Sequence, residues 1–579
     1  PECAVERSEA MEADLNASDG RTCLYRIIAD VDAMSTSSTL FAVDPRSLAL
    51  FRIALGLLLA FEALALLPEA SALLSDRGVL PRCSLQPSLP TDSEFWSLNS
   101  ASGGARWQLV LLLLQFCAGV CLAFGRRPRV AALCGWALFS SAINRNPLMA
   151  HGGDALLRQE LFFAAFVPLG ARWAVDAPGG AADDDRPRAS LGTVALLLQP
   201  VLMYVCAGAL KFAPEWRSQY TAVYFALRVD MAVKWPALLL RRWPALCELA
   251  SALTPPLEAW IGPALLLCPV ERLRGRARLV GIALLSSLQL GFATCMVLGN
   301  FPYASTVAIL PFVPSELWAV LLPRDADAEA AWQRRARLWA RALRRAAAAL
   351  LPAPEASATP PTPAAPLGRG SRALLLAICV WIALWNLQSY CAALARFGGG
   401  SWPLCWAPLG VPRSWLWFGE LLSLHQSWDL FAPAPNREDG WFVLPAQMVT
   451  GELRDVATGG PLDFARPPLP SAWYVAAAAT PATASRWLQY HLRIWEEARK
   501  PERQQNTQLF SALVQWHCRR HRPPLARLAL VFVRERTPPP NEEAPPPEHL
   551  QIWQEDCLGW FPEQAELLRA RAANATAAA

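Results

Sequence analysis

Long apolar stretches without a charged residue constrain this chain more than any other feature of its sequence. A helix needs about 20 apolar residues to cross the hydrocarbon core of a bilayer. Stretches close to this length occupy residues 107–124, 191–210, 279–298 and 373–394. They predict a polytopic α-helical membrane protein.

Further apolar stretches are shorter or carry charges or prolines, and they predict weaker spans. These lie at residues 47–67, 130–144, 154–173, 247–268 and 301–322. Together the two sets predict about nine transmembrane helices. The lipid bilayer is therefore an expected partner of the chain. The composition agrees, because 54% of the residues are hydrophobic and only 17% are charged, which argues against a wholly soluble protein. The net charge of +5 is small and dispersed, so no nucleic-acid partner is expected.

The predicted spans divide the chain into five regions. A polar segment at residues 1–44 has no apolar core, so we expect no cleavable signal peptide in it. A membrane domain follows at 45–322, then a basic, Ala- and Pro-rich loop at 323–372 and a last transmembrane helix at 373–394. A Trp-rich soluble domain at 395–579 completes the chain.

This C-terminal domain is predicted to have an α+β fold. Helical spacing at residues 486–500 and an apolar run at 528–533 indicate a helix and a strand. His517 and His521 stand four residues apart, a spacing that can chelate a metal, but the surrounding arginines favour a basic helix face and we predict no metal site. The motifs of serine hydrolases, phosphate-binding loops and zinc peptidases do not occur in the sequence.

Clusters of arginine between the spans predict the orientation of the chain. They occur at residues 125–129 (GRRPR), 271–278 (ERLRGRAR) and 324–372, and such clusters favour the cytoplasmic side. All three fall on one side if nine spans are counted. The N-terminus is then cytoplasmic, and the C-terminal domain is lumenal or extracytoplasmic. On that oxidising side we predict a disulfide from Cys83 to a C-terminal cysteine, first of all Cys405.

Polar residues at membrane depth are the first candidates for function. Lys211 ends an apolar stretch, and desolvation favours its neutral amine, which can act as a base. On spacing alone, a structural role is favoured, in which the amine reaches the interface beside Trp216. For Gln289 and Asn300, hydrogen bonding between helices is the favoured interpretation on the same grounds.

A polar connection at residues 144–158 (NRNPLMAHGGDALLR) joins two predicted spans. Asp154 and Arg158 are predicted to pair on one helix face, and Asp154 is also suited to cap that helix. His151 is predicted to donate to an oxyanion or to meet lipid headgroups. The segment is either a well-capped helical hairpin or a site for a polar ligand head. The candidate residues are Asn144, Arg145, Asn146, His151, Asp154 and Arg158.

Taken in order, several strings resemble the membrane domain shared by vitamin K-dependent gamma-carboxylase and its relatives in the HTTM (horizontally transferred transmembrane domain) family. The resemblance covers roughly residues 44–445 and thins beyond them. The strings are 47–56 (SLALFRIALG), 74–82 (LSDRGVLPR), 144–158, 168–176 (PLGARWAVD), 204–216 (YVCAGALKFAPEW), 289–302 (QLGFATCMVLGNFP) and 426–435 (QSWDLFAPAP).

This resemblance reverses the structural interpretation of Lys211. Lys211 lies at the position of the lysine that acts in the family as the base for reduced vitamin K, between the matching Tyr204 and Trp216. The resemblance implies that neutral Lys211 deprotonates a hydroquinone, which reacts with oxygen to give a strong alkoxide base and finally an epoxide. That base would take a γ-proton from a substrate glutamate, and carbon dioxide would add to the carbanion.

The resemblance also implies the ligands and partners of the site. Reduced vitamin K or a related quinol, oxygen and carbon dioxide are the expected cosubstrates, and a peptide bearing glutamate is an expected partner. The implied quinone- or substrate-binding residues are Tyr204, Trp216, Asn144, Arg145, Asn146, His151, Asp154, Arg158, Gln289 and Asn300.

The chain departs from the family at two points. Gln289 stands where relatives commonly carry a histidine, and the soluble portion is smaller than that of the animal carboxylases. The sequence therefore predicts a membrane enzyme that oxidises a reduced quinone, with glutamate carboxylation as a further expectation. The alternatives are a non-catalytic scaffold or lipid-binding protein of the same fold and, third, a transporter, which the lack of an evident internal repeat disfavours.

Overall fold

The computed structural model describes residues 39–85, 96–176, 186–321, 368–396, 410–467, 471, 474, 478–501, 504–522 and 524–560. Predictions for most of the segment 1–44 and of the loop 323–372 lie outside these residues. The longer helices up to residue 396 are α1 (Pro45–Leu66), α2 (Ala105–Phe124), α3 (Pro128–Arg145), α4 (Gly152–Ala164), α5 (Leu191–Ala209), α6 (Pro244–Pro256), α7 (Glu271–Cys295), α8 (Phe301–Ile309), α9 (Ser315–Leu321) and α10 (Arg369–Arg396). Shorter helices are Arg82–Leu85, Pro214–Arg217, Ala222–Ala226, Trp235–Leu240, Gly262–Leu266 and Leu416–Leu421.

Within the described residues, 5 helices are long and apolar enough to cross a membrane. They are α1, α2, α5, α7 and α10. Each of the four uncharged stretches lies almost entirely in one of them, and the weaker candidate at 47–67 forms α1. The prediction of transmembrane helices is therefore supported by the structure.

Two of the remaining candidate stretches fold differently from simple spans. The stretch 154–173 forms only α4, whose 13 residues are too short to cross the bilayer and are almost all buried within the protein. The stretch 301–322 forms α8 and α9, which meet at a bend of 93°. The structure supports up to 6 spans if this bent pair counts as one, and the number nine stays a prediction.

The long helices α2 and α7 turn apolar side chains outward. Only 33% of the apolar window of α2 and 22% of that of α7 is buried inside the protein. Leu113, Leu114 and Leu290 are among the exposed large side chains on them. Continuous exposed apolar surface of this kind is expected where a helix contacts lipid.

Helices α1 and α2 pack at backbone distance. A Cβ atom on Gly56 would lie 2.4 Å from the backbone nitrogen of Ala123, so the approach requires glycine there. Arg52 lies on α1 and is fully buried, and its guanidinium donates to the carbonyl oxygens of Trp173 at 2.7 Å and Leu122 at 3.4 Å. These bonds show how a transmembrane helix accommodates a charge.

The C-terminal domain contains an antiparallel sheet of five described strands. They are β1 (Glu438–Val443), β2 (Pro445–Met448), β3 (Leu453–Asp455), β4 (Leu525–Arg536) and β5 (Glu548–Asp556). The long strand β4 pairs with β1 and β2 along one edge and with β5 along the other, and β3 pairs with β2. The predicted strand at 528–533 is confirmed as the middle of β4. The predicted helix at 486–500 is confirmed as α11 (Ala484–Ala498), and α12 (Thr507–Arg520) follows it.

A disulfide joins Cys518 at the end of α12 to Cys557 after β5. It therefore fixes a helix to the edge of the sheet within the C-terminal domain. Cys83 carries an exposed free thiol, so the predicted bridge from Cys83 is not formed in this structure. Its first predicted partner, Cys405, lies outside the described residues. A shared oxidising compartment does not by itself select a disulfide partner, because the bond also requires Cα atoms within about 7 Å.

Candidate functional site

Lys211 forms a buried ion pair with Glu258. Its Nζ lies 2.6 Å from Oε2 of Glu258, and the side chains are 2% and 5% exposed. The amine also donates to the carbonyl oxygen of Ala207 at 3.1 Å. Lys211 lies two residues beyond the end of α5, so the carbonyl of Ala207 belongs to the last turn of a transmembrane helix. The lysine therefore does not reach out to the interface.

A wide helical turn carries Glu258 to this position. Helix α6 continues through a π-helical turn, Leu257–Ile261, into the helix Gly262–Leu266. Pro255 and Pro256 precede the turn and have no backbone N–H to donate, which disrupts regular α-helical bonding. Such turns frequently occur at functional sites. The local sequence therefore explains why a carboxylate of a helical segment projects into the protein here.

Tyr204 and Gln289 form the neighbouring polar contact. The side-chain amide of Gln289 donates to the Tyr204 hydroxyl at 3.0 Å, and both residues are buried. Within the described residues, the amide oxygen of Gln289 has no hydrogen-bond partner. A buried acceptor without a donor is costly for the protein and fits a ligand that brings a hydroxyl group.

The segment after the last span covers the same site. The indole of Trp216 donates to the carbonyl oxygen of Phe431 at 2.9 Å, and the backbone N–H of Ala213 donates to that of Pro433 at 3.3 Å. The amine of Lys211 lies 5.5 Å from the ring centroid of Trp216. Two strings that are far apart in the sequence, 204–216 and 426–435, thus come together around Lys211.

A second buried cluster is centred on Asp154. One oxygen of Asp154 accepts from the side-chain amide of Asn300 at 3.1 Å, and the other accepts from the backbone N–H of His151 at 3.0 Å. The bond from the His151 N–H lies at the N-terminus of α4, so Asp154 caps this helix as the sequence predicts. Arg486 of helix α11 binds both oxygens of Asp154 and also pairs with Glu62 of α1 at 2.7 Å. Membrane domain and C-terminal domain meet at this arginine.

Arg486 is the shared positive partner of the two carboxylates in this cluster. Burial by itself would lower the pKa of Arg486, but the carboxylates of Asp154 and Glu62 raise it above its ordinary value. A guanidinium that binds two carboxylates in a buried site is strongly held. Next to it, Trp487 donates from its indole to the Glu69 carboxylate at 3.1 Å, which is a further contact between the two domains.

His151 lies at the edge of the second cluster. Its Nδ1 is 3.7 Å from an oxygen of Asp154, beyond hydrogen-bond distance, and within the described residues neither ring nitrogen has a hydrogen-bond partner. A Cβ atom on Gly299 would lie 2.3 Å from its Nε2, and Gly299 has a positive φ of 62°. The imidazole is therefore enclosed by protein and does not lie at a membrane surface.

Other predicted residues contact different parts of the protein. The guanidinium of Arg145 donates to the carbonyl oxygen of Leu80 at 2.9 Å, and the side-chain amide of Asn146 donates to that of Leu73 at 2.8 Å. These residues therefore anchor the segment around residues 73–82 to the end of α3. In the described structure neither forms a hydrogen bond to Lys211 or to Asp154.

The predicted pair of Asp154 with Arg158 is not formed. Arg158 donates to the Asn144 side chain at 3.4 Å, whereas Asp154 binds Arg486. Arg486 offers Asp154 a two-point contact, and this outcompetes a pair along one helix. The amide of Asn144 donates to the carbonyl oxygen of Trp96 at 3.0 Å.

Three residues of these clusters are not among the predicted site residues: Glu258, Arg486 and Glu62. Glu258 had a local signal, because it is an acid two residues after Pro256 in an otherwise apolar run. Glu62 is one of the two charges within the apolar stretch 47–67, and nothing beside it in the sequence indicates a partner. For Arg486 no signal existed in the sequence, since its partner Asp154 is 332 residues away.

No protein-family model, curated protein or solved structure matches the chain. The resemblance to the HTTM family remains a prediction from the strings quoted above. What the chain does must accordingly be argued from the two buried clusters.

Proposed function

We propose that this chain is an integral membrane enzyme that oxidises a reduced quinone, with Lys211 as the base. The observation that supports this most directly is the buried pair of Lys211 and Glu258 at the end of a transmembrane helix. An ionisable pair at such a place is costly to maintain, and buried ionisable groups in membrane proteins mark proton and substrate pathways. The family resemblance at residues 204–216 supports the same role.

Glu258 adds a step that the resemblance does not contain. As an ammonium, Lys211 cannot accept a proton. In a dry site, the proton can pass from the Lys211 ammonium to the Glu258 carboxylate 2.6 Å away, which replaces two buried charges by two neutral groups. The neutral amine can then accept a proton from a substrate hydroxyl. Glu258 thus acts as the proton store for Lys211.

The surrounding residues fit a quinol. The unpartnered oxygen of Gln289 can accept a hydrogen bond from a quinol hydroxyl, and the indole of Trp216 offers an apolar wall beside Lys211. A quinol supplies an acidic hydroxyl and the reducing electrons. In this proposal Gln289 would accept a hydrogen bond from the quinol, a role that needs no protonated ring such as a histidine would provide.

Glutamate carboxylation is the finer proposal. The resemblance implies that the enzyme then adds carbon dioxide to a glutamate of a peptide that reaches the site. We further propose that the N-terminus is cytoplasmic and that the C-terminal domain is lumenal or extracytoplasmic. The disulfide between Cys518 and Cys557 supports this orientation, because stable disulfides form in oxidising compartments.

A non-catalytic membrane scaffold is the second candidate. The interface around Arg486 favours it, since a buried network that joins two domains serves assembly without any chemistry. In that case the pair of Lys211 and Glu258 holds the end of α5 against the turn that follows α6. The protein then does not oxidise quinol.

One assay separates these candidates. The purified full chain, in lipid nanodiscs, is incubated with a reduced vitamin K analogue and oxygen, with and without a glutamate peptide and labelled bicarbonate. The epoxide and the label in the peptide are measured. We expect epoxide from the wild-type protein and a loss of about 100-fold or more in Lys211→Met, because the base is removed. Lys234→Met is the control, since in the part of the chain that the structure describes the Lys234 amine donates to a backbone carbonyl oxygen, that of Ala293 at 2.6 Å.

A folding defect is distinguished by a second variant. Lys211→Met leaves Glu258 unpaired, so the double variant Lys211→Met/Glu258→Gln is included to restore a neutral pair. It should unfold close to the wild-type temperature and still form no epoxide. If either variant forms epoxide at the wild-type rate, or if the wild-type protein forms none, the proposed enzyme is rejected and the scaffold is retained.

A further inference from the structure

The C-terminal domain contains a pocket that the quinol chemistry does not use. Its volume is about 320 Å³, and it lies between α11, α12 and the loop after β3. Trp487 and His491 of α11 and Trp516, His517 and Arg520 of α12 contribute to its wall. The size is at the lower end of the range for small-molecule sites. It therefore fits a compact ligand.

Aromatic rings form the body of this pocket. The rings of Trp487 and Trp516 have centroids 5.5 Å apart, and the ring of His517 lies 4.7 Å from that of Trp516. The guanidinium of Arg520 lies 5.0 Å from the centroid of Trp516. Flat rings beside a planar guanidinium recognise a ligand that is itself flat and carries an anionic group.

The charge of the pocket is of one sign. No aspartate or glutamate is among the residues that line it. Among the described residues, Arg520 forms no ion pair, and its guanidinium lies over the indole of Trp516. The pKa of His517 is lowered to about 3, chiefly by burial and additionally by the neighbouring His491, Arg520 and His521. A local excess of positive potential favours an anion.

We propose that this pocket binds a small organic carboxylate with a flat apolar body. The ring of the ligand packs against the indoles of Trp487 and Trp516, and its carboxylate binds the Arg520 guanidinium. Because Trp487 also donates to Glu69 of the membrane domain, the pocket lies beside the junction of the two domains. Among the described residues, none that lines the pocket contacts the Lys211 amine, so the proposal does not rest on quinol oxidation.

Fluorine NMR of a trifluoromethyl-substituted benzoate with the full chain in nanodiscs tests the proposal. We expect saturable binding by the wild-type protein, and a dissociation constant at least about tenfold higher for Arg520→Gln, because a charge-assisted hydrogen bond is lost. Arg493→Gln is the matched control. Arg493 lies on the exposed side of α11, where it pairs with Glu496 at 2.6 Å, and its loss should change binding less than twofold.

Two competitors define the chemistry. The benzyl alcohol of the same shape lacks the charge and should displace the benzoate poorly, and inorganic phosphate lacks the ring and should also displace it poorly. The proposal is overturned if the alcohol binds as well as the benzoate, or if Arg520→Gln binds as the wild type does. Equal displacement by phosphate would show a site for charge alone, and this would refute the role of the aromatic wall.

Discussion

Replacing Arg486 by methionine is the most direct test of how the two domains are held together. The arginine side chain is only 4% exposed, and it reaches from α11 to Asp154 of α4 and Glu62 of α1. Methionine keeps most of the apolar stem and removes the guanidinium. The variant therefore leaves two carboxylates in a buried site with no positive partner.

The expected loss is large because the pair is buried. Removing one partner of a buried ion pair costs about 3–5 kcal/mol, since the remaining charge is left without compensation. Here both Asp154 and Glu62 lose their shared partner, although Asp154 keeps its bonds from Asn300 and His151. We therefore expect the upper part of that range. Thermal unfolding of the purified protein, followed by intrinsic tryptophan fluorescence, measures it.

Two controls define the result. Arg493→Gln removes an exposed arginine from the same helix and should cost less than about 1 kcal/mol, as surface ion pairs do. The triple variant Arg486→Met/Asp154→Asn/Glu62→Gln removes all charges and should regain much of the lost stability. If Arg486→Met is no less stable than Arg493→Gln, the buried network does not hold the domains together.

Two further predictions concern the C-terminal domain. Burial raises the pKa of Asp439 to about 7 from an ordinary value of 3.8. The stability that protonated Asp439 contributes is therefore complete below about pH 4 and is lost as the pH rises through about 7. The unfolding temperature of Asp439→Asn should lack this decline across the same pH range, and a decline identical to that of the wild type would contradict the prediction. Replacing Cys518 by serine opens a disulfide that spans 39 residues. Chain entropy predicts that the free energy of unfolding falls by up to about 4 kcal/mol, which urea unfolding of the variant measures. Unchanged stability would show that the bridge does not restrain the unfolded chain.

Local composition was sufficient to predict the longest helices. The stretches at 107–124, 191–210, 279–298 and 373–394 lie in α2, α5, α7 and α10, because the free energy of insertion is a sum over consecutive residues. The stretch at 154–173 was interpreted wrongly as a full span on the same basis. Its helix ends at Ala164 and is surrounded by other helices, and burial by protein and burial by lipid select similarly apolar residues.

The candidate site depended more on the fold. Neighbouring residues are enough to predict that Lys211 stands at the end of an apolar run and that Asp154 lies at the start of a helix. The partners of these residues depend on the tertiary fold, because Glu258 is 47 residues from Lys211 and Arg486 is 332 residues from Asp154. A buried charge needs an opposite charge within a few ångströms, and which residue supplies it is set by how the helices pack.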